Sequence, residues 1–194
     1  MKYLKNLGLA AIAAMAFMAF AASSASATTS LEVNGEAKAN VFITATIESG
    51  NSALLQRTDG SFANTCTESH VEGTSGANGG TTVTGTVSNL SFSKCTRPVS
   101  VHAGGTLHIE HTAGTDGTVS SSGAQVTVGS IFGTLNCKTN TGTHLGNVTG
   151  TDGTPKNHAI MHINAVIDCG FLVPSAKWEG TYVVTTPTGL GVTA

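Results

Sequence analysis

From Thr81 onward the chain keeps an apolar period of two. Val83, Gly85 and Val87 alternate with Thr82, Thr84, Thr86 and Ser88, and Leu107 and Ile109 later alternate with Thr106, His108 and Glu110. Successive strand side chains point to opposite faces, so this is the pattern of a half-buried strand with one polar face. Gly, Asp and Asn punctuate such runs at intervals of about ten residues, the spacing of a sandwich or barrel. No 3.6-residue apolar period follows the first 27 residues, which excludes βαβ units and coiled coils. The expected fold class is therefore all-β: an antiparallel β-sandwich, or a barrel-like arrangement, with two disulfides.

Individual elements follow from the same rule. The β-branched run Val41–Ile47 is a first strand, ended by the turn residues Glu48-Ser49-Gly50-Asn51. Residues 53–62 read as irregular around Asp59-Gly60, and Cys66–Val71 as a short strand. Four Gly between Gly73 and Gly80 predict a flexible exposed loop. Asp116-Gly117 and Asp152-Gly153 are the expected hairpin turns, since such residues tolerate positive φ. The longest apolar run, Ala159–Cys169, places Met161, Ile163, Ala165 and Ile167 on one face. Its other face carries Ile160 and Val166 beside His162 and Asn164, so a central strand partly buried on both sides is expected. Lys177–Thr185 is the last strand, with Trp178, Gly180, Tyr182 and Val184 on one face.

Residues 1–27 have the three parts of an export signal. Lys2 and Lys5 form a positive start, Leu7–Ala22 is uncharged, and Ala25-Ser26-Ala27 is a small-residue cleavage site. Cleavage before Thr28 leaves residues 28–194 as a single β-sandwich domain, secreted and extracellular or held in the cell envelope, with no membrane span.

All four cysteines lie in the exported part, an even number in an oxidising context, and so read as two disulfides. Three connectivities are open. Cys66–Cys95 and Cys137–Cys169 are favoured because each pair brackets a compact run of strands, and each closure is worth roughly 3–4 kcal/mol of lost unfolded-chain freedom. No two cysteines stand at zinc-ligand spacing, and no Cys-x-x-Cys is present.

Composition restricts function further. Charged residues are only 10%, the net charge is −2 and the pI is near 6.4, so no basic field supports contact with nucleic acid or an anionic membrane. Catalytic, cofactor-binding and metal residues are each expected to be none. The sequence holds no Gly-x-Ser-x-Gly elbow, His-Glu-x-x-His or phosphate-binding loop. The three Thr-Asp-Gly segments lack the acids of an EF-hand and read as turns. Seven His raise a metal alternative, with His108, Glu110 and His111 in one group and His158 and His162 in another. Trp178 and Tyr182, two residues of one strand face, read as core rather than as a sugar platform.

The C-terminal half resembles a group of small exported bacterial β-rich proteins without an assigned activity. The likeness is carried by Gly123-Ala124-Gln125-Val126-Thr127-Val128, Phe132-Gly133-Thr134-Leu135-Asn136-Cys137, His162-Ile163-Asn164-Ala165-Val166-Ile167 and Pro174-Ser175-Ala176-Lys177-Trp178-Glu179-Gly180-Thr181-Tyr182. It implies export and a bacterial source and marks no site residue. In Thr, Ala and Gly richness and disulfide use the chain is also similar to donor-strand subunits of fimbriae. Its end, Thr185–Gly191, lacks their penultimate Tyr.

The resulting expectation is a non-enzymatic exported protein that acts by surface contact, as an envelope, extracellular-matrix or adhesion component. Its partner would be a cell-surface polymer or protein, or another copy of itself. A secreted enzyme with a noncontiguous site and a His-based metal-binding protein are the alternatives.

Overall fold

The computed structural model describes residues 28–131, 133–150, 157–171 and 173–194. The proposed export signal and the Asp152-Gly153 turn therefore lie outside the described residues. The first half of the chain forms β1 (Ser30–Val33), β2 (Glu36–Ala37), β3 (Phe42–Ile47), β4 (Ala53–Arg57), β5 (Ala63–Ser75), β6 (Val83–Cys95) and β7 (Val99–Ala103). The second half forms β8 (Thr106–Ala113), β9 (Asp116–Ser122), β10 (Gln125–Ser130), β11 (Gly133–Lys138), β12 (Thr143–Thr149), β13 (Ile160–Ile167), β14 (Ala176–Thr186) and β15 (Leu190–Thr193). No helix occurs among the described residues.

Eight strands close an antiparallel barrel in the order β13-β12-β9-β8-β6-β5-β3-β14, and β14 pairs back onto β13. Closure removes the unpaired edges that an open sheet would leave. The ninth strand, β4, shares one place in the wall with β3. β3 pairs with the 182–186 part of β14 and the 70–74 part of β5, whereas β4 pairs with Ala176–Glu179 and Ala63–Cys66 of the same two strands. β3 and β4 thus lie end to end, joined by a turn in which Asn51 N–H donates to the Glu48 carbonyl at 3.0 Å.

Two small sheets complete the molecule. In the first, β7, β10 and β11 lie over β4, β14 and the Cys95 end of β6, making a sandwich beside the barrel. Val99, Val126, Val128 and Cys137 meet Leu55, Phe92 and Trp178 there, around an apolar gap of about 50 Å³. In the second, β15, β1 and β2 form a sheet that packs against β8 and β9 through β15, and Leu190 reaches the apolar barrel interior beside Val83, Val119 and Val148. The all-β expectation holds, with barrel and sandwich in one molecule. Both expected disulfides are present, Cys66–Cys95 and Cys137–Cys169. The first joins directly opposed residues of β5 and β6; the second ties β11 to the segment just after β13.

Four local expectations change. Residues 53–57 are a strand, because β4 continues the wall where β3 leaves it. Residues 73–80 are not a free loop. β5 runs to Ser75, and a Cβ at Gly73 would stand 2.6 Å from the Thr86 carbonyl oxygen, so that glycine permits close strand approach. Beyond it, Asn78 accepts from Leu31 N–H at 3.0 Å and donates to the Leu31 carbonyl at 3.1 Å, standing in for a paired strand. The β8–β9 reversal falls at Gly114-Thr115, with φ +59° at Gly114, rather than at Asp116-Gly117. Gly117 instead keeps strands close, and Asp116 accepts from Gly150 N–H at 3.0 Å. Finally, β13 is central but buried mainly on one side. Ile163, Ala165 and Ile167 are interior, while His162, Asn164 and Val166 face solvent because no second layer covers that stretch.

Candidate functional site

The end-to-end arrangement of β3 and β4 leaves Thr67, Glu68 and Ser69 of β5 without a partner on that edge. A cleft of about 410 Å³ opens at this break in the wall. It is lined by Thr46, Ser49, Thr67, Ser69, Ser91 and Ser93, and Glu48, Glu68 and His70 stand around it. The position of each group follows from strand alternation: Glu68, His70 and Glu72 point outward from β5 while Ser69 points inward.

The carboxylates are already engaged. Lys94 Nζ lies 2.5 Å from one Glu68 oxygen, and Ser93 donates to the other at 2.8 Å. His70 Nε2 is 2.9 Å from Glu72, which also accepts from Asn89 Nδ2 at 3.3 Å. Glu48 accepts from Asn51 Nδ2 at 2.6 Å. The Lys94 and Ser93 hydrogen bonds hold the Glu68 carboxyl below its ordinary value, and those from His70 and Asn89 do the same for Glu72. A carboxylate held low is a hydrogen-bond acceptor at neutral pH and a weak proton donor, so these groups suit binding better than general acid catalysis.

Beneath the cleft sits a buried polar pair. Tyr182, fully buried, donates from its hydroxyl to Ser69 Oγ at 2.9 Å, and Ser69 donates in turn to the Ser91 carbonyl at 3.1 Å. Burial pushes the Tyr182 hydroxyl up to about 12, against the opposing influence of Ser69 and of the nearby Trp178 indole. The indole N–H itself has no partner within hydrogen-bond geometry. Trp178 stands edge-on to Phe92, with ring centroids 6.2 Å apart, as a core residue.

The histidines singled out from sequence are dispersed. His108 is within hydrogen-bond reach of Thr84 and Thr106, His111 of the Gly114 carbonyl, and His158 Nδ1 of the Val184 carbonyl at 2.7 Å. His162 faces solvent beside Thr181. Among the described residues no three His, Cys, Asp or Glu side chains gather as a metal site. The cleft residues themselves went unread in the sequence. Glu68 and His70 of the cleft, with Glu72 beyond it, recur at every second position, which is the signal that would have placed them on one strand face. Comparison with protein-family models, curated proteins and solved structures finds no match to this chain.

Proposed function

We propose that this chain is an exported, non-enzymatic contact protein of the cell envelope or extracellular matrix, and that it holds a neutral polyhydroxylated polymer in the wall cleft. One observation carries the reading: the wall cleft is lined by Thr46, Ser49, Thr67, Ser91 and Ser93 and bordered by the carboxylates of Glu48 and Glu68, of which Glu68 is held in its acceptor form. Sugars present the complementary set, hydroxyls that both donate and accept. The break between β3 and β4 supplies a groove open to solvent, as a polymer segment requires. The two disulfides, typical of extracellular proteins, support action outside a reducing compartment. Individually weak contacts of this kind gain strength when several copies engage one polymer, which suits an adhesive or matrix role.

The test is co-sedimentation of the folded chain with insoluble neutral polysaccharides: cellulose, chitin and starch granules. At least one should carry the protein into the pellet. Filling the groove by Thr67→Tyr or Ser91→Tyr, both at exposed positions, should return it to the supernatant without lowering thermal stability. Failure to sediment with any polymer, or sedimentation that the filled variants retain, overturns the reading.

A further inference from the structure

Arg97 differs from the other described cations. Lys38, Arg57, Lys94, Lys138 and Lys177 each lie within 4.0 Å of a carboxylate, whereas no carboxylate of a described residue reaches the Arg97 guanidinium. The side chain is partly buried, and its guanidinium carbon sits 5.6 Å from the centre of the Phe62 ring. A ring contact of this kind holds the planar fork in place without using its N–H donors. Partly buried cations ordinarily meet a counter-charge.

Arg97 borders a cleft of about 240 Å³ whose apolar walls are Phe62, Ile131, Leu135 and Val173, with Ser61, Ser130 and Arg57 also lining it. The charge of Arg57 is met by Asp59 at 3.2 Å, so among the described residues Arg97 is the cation there without a carboxylate. Leu135 and Val173 are buried at the cleft's base, whereas Ile131 at its mouth is 73% exposed. Four chain segments from distant parts of the sequence build this cleft: the β4–β5 turn, the stretch after Cys95, the β10–β11 turn and the stretch before β14.

We propose that this cleft is a binding site for a small apolar monocarboxylate. The apolar body of the ligand packs on Ile131, Leu135 and Val173, and its carboxylate takes the N–H fork of Arg97 in two parallel hydrogen bonds, the geometry guanidinium favours. The volume lies below the roughly 300–1,000 Å³ of sites for drug-sized ligands, so the fitting acid is short, an aliphatic chain of about six carbons or a single aromatic ring. The site shares no lining residue with the wall cleft, so the two readings stand or fall separately.

The probes are hexanoate and phenylacetate, with 1-hexanol as a neutral match, titrated into the folded chain by calorimetry and by amide shift mapping. Hexanoate should bind at least about tenfold more tightly than hexanol, with shifts centred on the amides of Arg97, Ile131 and Val173. Arg97→Gln should lower hexanoate affinity about tenfold and leave hexanol unchanged, whereas Ile131→Ser should weaken both ligands alike. Arg97→Lys serves as a second variant and should retain part of the preference for the acid. Equal binding of acid and alcohol, hexanoate affinity unaltered in Arg97→Gln, or no shifts at about 10 mM hexanoate would each overturn the proposal.

Discussion

Tyr182→Phe probes the polar pair at the centre of the barrel, and its effect should change with pH. At pH 7 the substitution removes one buried hydrogen bond, the 2.9 Å contact to Ser69 Oγ, while Ser69 keeps its bond to the Ser91 carbonyl. A net loss of about 1 kcal/mol is expected, because the substitution leaves no further donor unpaired. In a domain of this size that is a fall in Tm of about 2–4 °C. Ser69→Ala should cost more, about 1–3 kcal/mol beyond the lost bond, since it strands the buried Tyr182 hydroxyl. At high pH the order changes. The Tyr182 hydroxyl titrates near 12 when folded against 10.0 when exposed, so between these values the unfolded chain has released a proton that the folded chain retains. Stability contributed by the neutral phenol is intact below pH 10 and is lost progressively as pH rises toward 12, by about 1.4 kcal/mol at pH 11. Phenylalanine cannot ionise, so the variant escapes this loss. Urea unfolding at pH 7 and pH 11 should find the variant about 1 kcal/mol weaker at the first and equal or slightly stronger at the second, with the m-value unchanged. A difference that is the same at both pH values would refute the assignment of the raised pKa to Tyr182.

Three further outcomes follow from the fold. Replacing either cysteine pair by serine should cost about 3–4 kcal/mol in urea unfolding, because Cys66–Cys95 and Cys137–Cys169 span 29 and 32 residues. Gly146→Ala should prevent folding or cost more than about 3 kcal/mol by thermal melting. Gly146 has φ +152°, and a Cβ there would run into the His162 carbonyl across the β12–β13 pair, whereas Gly123→Ala, with open space at φ +75°, should cost only about 1 kcal/mol. Carboxylate NMR should place Glu72 below its ordinary 4.5, and His70→Ala should return it toward that value. Because the folded pKa is the lower one, the contact favours the folded state above pH 4.5 and is lost as pH falls through the folded midpoint.

Much of the fold was legible because it depends on local pattern. Alternation placed Tyr182 and Val184 inward, β-branched runs marked β3 and β13, and the cysteine spacing suggested the pairing observed. The misread segments share one cause. Residues 53–57 and 73–80 lack a strong pattern of their own, and distant partners order them: β5 and β14 in the first case, Leu31 and Thr86 in the second. Glycines read as freedom at Gly73 and Gly117 are instead sites of close backbone approach, which depends on what lies across the strand.

The sequence by itself determined an antiparallel all-β chain, because side-chain period and turn chemistry are properties of neighbouring residues. Only the tertiary structure decided where the clefts lie. The wall cleft exists because β3 and β4 end at different heights between β5 and β14, and the Arg97 cleft exists because four turns far apart in the chain converge. Register across nonlocal strands sets the wall cleft, and a one-residue slip of β5 would turn Glu68 and Ser69 each to the other face.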